Sequence, residues 1–289
     1  MKKIKAFIGL ICALITLFTA SAFAACTDKP THENGAFSSE TLPENSIEGS
    51  EDPPQTEETP PETLPPESSP ETEPAPIIKT SNYIKCTGEN VNIRSGASTS
   101  TTVLGSAEKG TMYAVTKKIG NWYEISYRNK TAYLHADYAY EFTLEMTNSK
   151  KTEEVIQEGY KLLGTPYVYG AVRLHDGKGK LLSNFSVQKM DCSSLIQYIF
   201  YQGASILLDV TTRTQVVQGK YVHPNDLRRG DCIYFTNESR EHKTGIERVG
   251  HVALYLGDNY ILHTASDYAR IEKMSAKRWN YYIEARRFL

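Results

Sequence analysis

Cys192 opens the stretch DCSSLIQYIFYQG, residues 191 to 203, one residue into a run whose apolar residues recur at helical spacing. Three chemistries suit a cysteine there: half of a disulfide, a buried core thiol, or a nucleophile. Asp191 is a good N-cap, which makes Cys192 the first helical residue. Unpaired N–H groups and the positive end of the helix dipole stabilise a thiolate at that place, so its pKa is expected below the free value of ~8.5. A core thiol is expected further along, on the apolar face with Leu195 and Ile199. Position alone leaves the core thiol and the nucleophile about level.

A nucleophilic thiol needs a base, and the base needs a group that orients it. The stretch GHVALYLGDNYILH, from Gly250 to His263, offers both as a hairpin. With Gly257-Asp258-Asn259 as its loop, Ala253 lies opposite His263. His251, two residues from Ala253, then shares the sheet face of His263 and lies diagonal to it at ~7–8 Å. A register shift of one residue would put the two histidines on opposite faces. A lone strand histidine is usually an ordinary residue, but two on one face beside a helix-capped cysteine favour a functional reading. The ligand types also suit zinc, yet no C-x-x-C or H-x-x-x-H spacing is present, so no metal site is expected.

The elements that must hold these residues are helices followed by strands. Thr152 to Leu163 carries Val155, Ile156, Leu162 and Leu163 and stops at Gly164, a helix with a glycine stop signal; the Cys192 helix is expected to end at Gly203. Strand-like runs follow at Cys232–Phe235, Gly250–Leu256, Tyr260–Thr264 and Tyr281–Phe288. Helices first and then an antiparallel sheet make residues 149–289 an α+β unit. Residues 81–143 read differently, as short alternating strands such as ENVNIR and a hairpin GNWYEISY…TAYLH turning at Asn129-Lys130, the pattern of a small all-β barrel.

Ahead of both units, Lys2, Lys3 and Lys5 precede an apolar run from Ala6 to Phe18 and a small-residue stretch to Ala25, the layout of a signal peptide over residues 1–25. Ala22-Phe23-Ala24 suits ordinary cleavage, whereas Phe23-Ala24-Ala25-Cys26 resembles a bacterial lipobox, in which Cys26 is acylated and anchors the chain to a membrane. Phe23 stands there in place of the usual Leu, Ile or Val. Residues 26–80 are expected to be a disordered, extended tether: 11 of the 13 prolines lie in it, and from residue 27 to 80 it has 13 acidic residues against two lysines. From residue 81 onward there are 27 basic and 21 acidic residues, a net of +6. That excess suits an anionic polymer of the wall, and it is too diffuse for nucleic acid. Cys86, Cys192 and Cys232 are an odd number, so at least one thiol is free unless chains pair.

Residues 150–289 resemble the NlpC-type cell-wall cysteine peptidases, a bacterial branch of the papain-like fold. Gly164-Thr-Pro-Tyr-Val-Tyr-Gly170 is similar to the family's G-x-P-Y-x-x-G segment, and Asp191-Cys-Ser-Ser-Leu-Ile-Gln197 to its D-C-S-G-L-V-Q helix. Arg213-Thr214 with Gln218, Leu227-Arg-Arg-Gly-Asp231 and Gly250-His-Val-Ala-Leu-Tyr-Leu-Gly257 follow in the family's order. The preceding unit resembles the bacterial SH3-like domain through NVNIRSGASTSTTVLG, NWYEISY and AYLHADY. The resemblance implies that Cys192 attacks the scissile carbonyl, His251 moves the proton and His263 orients His251. It implies Tyr167 near the oxyanion, Asp191 and Ser193 at the positions that contact the substrate's free amino terminus in SH3-bearing relatives, and Arg213 at the substrate. The implied substrate is the peptidoglycan stem peptide, cut between γ-D-glutamate and the following diamino acid, with no cofactor.

Several positions depart from the family. Ser194 and Ala171 replace glycines, and Asn129-Lys130-Thr131 replaces a turn where glycine is common. Residues 171–190 form a longer connection, read as a surface loop near the cleft with His175 at the surface, and residues 237–248 form a second long, charged loop. Cys232 is expected as a buried thiol. The rival readings are a papain-like amidase that cuts the sugar–peptide link, and a wall-binding protein without catalysis.

Overall fold

The computed structural model describes residues 78–289. The signal segment, Cys26 and nearly all of the acidic tether lie outside the described residues. The first unit is built of β1 (Thr80–Cys86), β2 (Val91–Arg94), β3 (Val103–Ala107), β4 (Met112–Ile119), β5 (Trp122–Tyr127), β6 (Lys130–His135) and β7 (Ala139–Glu145). Alternation sets its faces: Val91 and Ile93 are buried on β2 and Ala132 and Leu134 on β6, while Asn92 and Thr131 face water.

The second unit follows the order helix, helix, sheet. It comprises α1 (Lys150–Lys161), α2 (Cys192–Ala204), the short α3 (Thr212–Gln215), β8 (Lys220–Val222), β9 (Cys232–Phe235), β10 (His251–Gly257), β11 (Tyr260–Ala265), β12 (Tyr268–Lys273), α4 (Ala276–Asn280) and β13 (Tyr282–Arg287). Its sheet runs β12-β11-β10-β9-β13-β8, all antiparallel. The α+β class therefore stands, with β8, β12, α3 and α4 added to the expected elements.

The expected barrel is not closed. The strands of the first unit run β7-β1-β4-β5-β6-β2-β3, and β7 and β3 are its ends. β4 bonds to β5 through its second half, to β1 through its first, and at Met112 to Ile271 of β12. The sheet thus runs on into the second unit instead of returning on itself, and one 13-stranded sheet links the two.

The β5–β6 turn supplies a second link. It is Arg128-Asn129, both left-handed at φ 51° and 60°, and Lys130 already pairs with Tyr127. Two left-handed residues match the twist of a two-residue hairpin, and they put the turn one residue earlier than the sequence suggested. Its N–H groups donate to the carbonyls of Leu163 and Lys161, at 2.8 and 2.6 Å, so the turn caps the C-terminal end of α1. Gly164 follows at φ +82°, and a Cβ there would sit 2.2 Å from the Tyr127 ring.

A buried polar cluster completes the junction. Arg229 donates to both carboxylate oxygens of Glu153 at 2.8 and 3.0 Å, to Tyr160 at 3.1 Å and to Tyr83 at 3.2 Å. Tyr83 comes from β1, and its hydroxyl also bonds that of Tyr160. Every buried polar group of the cluster has a partner, as burial requires.

α2 passes its expected end. Gly203 lies against α1, where a Cβ would fall 2.5 Å from Val155 backbone atoms, so its function is close helix approach. The helix continues to Ala204 and stops at Ser205, itself left-handed at φ 55°.

Candidate active site

Asp191 caps α2 as the sequence requires. Its Oδ1 accepts from the Ser194 N–H at 2.9 Å, and Ser194 Oγ accepts from the Asp191 N–H at 2.9 Å. This reciprocal box uses the serine that stands where the family has glycine. Cys192 is the first residue of the helix and only 7% exposed.

Burial pushes the Cys192 thiol up to about 12, Asp191 adds to that, and the backbone amides of Val252 and Ser193 oppose it. The expectation of a lowered thiol pKa is therefore corrected: desolvation of the charged form outweighs the helix terminus. Val252 follows His251 at the start of β10, so this strand brings both a donor to the sulfur and a histidine beside it.

The hairpin pairs Leu254 with Leu262 and Tyr255 with Ile261, with a bulge before Gly257, and Ala253 falls opposite His263. His251 and His263 share one face, and Nε2 of His251 lies 2.9 Å from Nδ1 of His263. Burial drives the pKa of His251 well below its usual range, helped by His263 and Arg278. His263 is 1% exposed and also lowered by burial, with Glu272 pulling the other way.

Two residues that the sequence reading missed continue this line. Glu272 Oε2 lies 3.2 Å from His263 Nε2, close enough for a charge contact although the oxygen sits off the N–H axis. Arg278 of α4 holds the other oxygen, Oε1, at 2.5 Å. Burial alone would raise the Glu272 carboxyl; His263 and Arg278 override it and hold it at about 2. The alternating stretch YARIEK, just after the histidine hairpin, was the available signal for a third strand carrying Glu272 on the His263 side.

A cleft of about 330 Å³ opens over Cys192. Tyr167, Asp191, Ser193 and Arg213 all line it, while His251 and His263 are not among its lining residues. A bridge to Met190 and an N–H bond to Asp267 fix the Tyr167 backbone. Burial, then Cys192 and Asp191, raise its phenol to about 12, so it stays protonated and able to donate. Ser193 Oγ donates to Asp191 at 3.0 Å, and Arg213 reaches Glu247 at 3.5 Å.

The two long loops also reach the cleft. The first contributes Arg173, next to Tyr169 and Gly170 just ahead of it, and the second contributes Asn237, Ser239 and Arg240. His175 is not at the surface: it is 4% exposed, its Nε2 2.9 Å from the Leu208 carbonyl. Gln197 explains why, accepting from the Leu174 N–H and donating to the same Leu208 carbonyl, each at 2.8 Å, and so pinning the loop to α2. Cys86 and Cys232 are buried free thiols away from this site. Among the described residues no cluster of metal-ligating side chains occurs.

A helix that begins with a cysteine and packs across an antiparallel sheet carrying two paired histidines is the arrangement expected of the papain-like fold. Residues 164–287 match the NlpC/P60 family and residues 89–139 the bacterial SH3 domain, so the C-terminal unit belongs to the NlpC/P60 family and an SH3 domain precedes it.

The γ-DL-glutamyl hydrolase of Bacillus subtilis is 32% identical over 126 residues, 43% of this chain and 26% of that protein. The probable endopeptidase YafL of Escherichia coli is 32% identical over 146 residues, 48% of this chain and 50% of that one. The peptidoglycan DL-endopeptidase CwlO of Bacillus licheniformis is 27% identical over 136 residues, covering 46% of this chain and 27% of its own. The chain thus spans between a quarter and a half of these relatives' lengths. Among solved structures, an NlpC/P60 family protein from Bacillus cereus aligns over 72% of this chain and 64% of its own, at 20% identity and a TM-score of 0.39.

Proposed function

We propose that this protein is a peptidoglycan hydrolase, a cysteine endopeptidase that cuts wall stem peptides between γ-D-glutamate and the following diamino acid. The observation that carries the reading is the His251–His263 contact, with Val252, the next residue on the His251 strand, offering its backbone N–H to Cys192. With Nε2 of His251 engaged by His263, only Nδ1 remains to take a proton from the thiol. The Glu272 carboxylate favours a proton on His263 Nε2, which leaves Nδ1 of His263 as the acceptor for the His251 Nε2–H. The tautomers of both rings follow from that one charge.

The resting pair is neutral, because burial raises the thiol and lowers the imidazole. Proton transfer therefore accompanies attack. Cys192 Sγ bonds to the scissile carbonyl carbon as His251 Nδ1 takes the thiol proton. The Tyr167 hydroxyl and the Cys192 N–H donate to the oxyanion. The C–N bond breaks as His251 returns the proton to the departing amine, leaving a thioester. Water, deprotonated by His251, then releases the acyl product and restores the thiol.

The named activities of the relatives support the bond class, and the Tyr167 segment with Asp191-Cys192-Ser193 favours an endopeptidase over an amidase. Residues 1–26 suit export and a lipid anchor at Cys26, with the proline-rich segment as a spacer between membrane and wall. Digestion of defined muropeptides by the full chain, read by mass spectrometry, tests the assignment. Cleavage after γ-D-glutamate is expected, and release of intact peptide from sugar would assign an amidase instead. Palmitate label is expected on the chain in cells and absent after Cys26→Ala.

A further inference from the structure

Among the described residues Asp191 is the one carboxylate that lines the cleft, and it is already paired with a guanidinium. Arg173 Nη1 lies 2.5 Å from both Oδ1 and Oδ2, the Ser193 hydroxyl donates to Oδ1 at 3.0 Å and the Ser194 N–H to Oδ1 at 2.9 Å. The carboxylate is 4% exposed, so nothing else reaches it without displacing the guanidinium.

Arg173 is not a wandering surface residue. The next two residues are buried and bonded to the protein body: the Leu174 N–H donates to Gln197 and the His175 ring meets the Leu208 carbonyl. Arg213 and Arg240 also line the cleft and share Glu247, which is not among its lining residues. The lining of the cleft therefore offers three guanidinium groups, and its one carboxylate is already paired.

An ammonium group entering this cleft meets like charge and finds its one counter-ion already paired. A neutral amide or a carboxylate meets donors. We infer that Arg173 sets substrate choice: the cleft takes peptides whose amino terminus is blocked as an amide and rejects those with a free terminal amine. In terms of the proposed function, on which this inference rests, the substrate is stem peptide still joined to its glycan through an amide.

The test compares two synthetic stem peptides, identical except that one has a free and the other an N-acetylated terminus. Cleavage by the full chain is measured alongside binding to its Cys192→Ala form by calorimetry. The acetylated peptide is expected to be preferred at least about tenfold in kcat/KM and in Kd, the scale of a like-charge mismatch. Arg173→Ala is expected to erase that ratio by freeing Asp191 for the amine, and Arg173→Lys to keep most of it. The melting temperature and far-ultraviolet circular dichroism report whether the variants are folded.

Equal use of both peptides by the wild type, preference for the free amine, or a ratio unmoved by Arg173→Ala would overturn the inference. Absence of binding to either peptide would overturn it as well. If neither is cut but the acetylated peptide binds about tenfold more tightly, the selectivity stands and the endopeptidase reading fails.

Discussion

Nε2 of His251 and Nδ1 of His263 meet at 2.9 Å across neighbouring strands, from residues 12 apart in the chain. The contact depends on register, because a slip of one residue along the β10–β11 ladder would turn one ring to the other face. His263→Ala is expected to lower kcat by about 10²- to 10⁴-fold, the range of general-base catalysis, with little change in KM. Steady-state kinetics on a defined muropeptide measures the split.

Glu272 acts on that pair from one step further out. Glu272→Ala is expected to reduce kcat by about 10- to 100-fold, as for outer-shell partners of a working histidine. Glu272→Gln, which keeps an acceptor without the charge, falls between. Nitrogen chemical shifts of the His251 ring distinguish this role from a merely structural one: wild type should hold its proton on Nε2, and the alanine variant should show both tautomers. A single unchanged tautomer in both would refute the role.

The pH dependence carries a definite sign. As the proposed base, His251 must be neutral to accept a proton, and burial drives its pKa well below 6.5, so the acid limb of kcat/KM should lie below that of ordinary histidine. The same shift acts on stability. Below ~6.5 the unfolded histidines bind protons that the buried neutral pair does not, so stability falls as pH drops from 6.5 towards the folded values. Melting curves between pH 8 and 5 should show this fall, and His263→Gln should reduce it.

Cys192 should react slowly with iodoacetamide at neutral pH and faster as pH climbs past 9, because its thiol lies near 12. A rate that levels off near pH 7 would mean a preformed thiolate.

Arg229 ties the SH3 domain to the C-terminal unit. Arg229→Ala leaves the buried Glu153 without its partner, and a loss of about 3–5 kcal/mol is expected. Replacing both residues with apolar ones of similar size should cost much less. Because one sheet crosses the junction, a single melting transition is expected for the two units.

The sequence by itself determined the parts whose signal is local. The helix beginning at Cys192, the strand that carries His251 and the hairpin that returns His263 to its face follow from periodicity, capping and turn residues over stretches of about a dozen positions. The candidates Tyr167, Asp191, Ser193 and Arg213 came from motif order, and they lie around one cleft. Only the tertiary structure decided what those residues face. Arg173 meets Asp191 across 18 positions, and Tyr83 meets Arg229 across 146. The burial of His175, the raised Cys192 thiol and the sheet running from β4 into β12 depend likewise on which elements pack together. Periodicity tells which face of an element turns inward, whereas desolvation and charge pairing are set by the atoms that distant segments bring to that face.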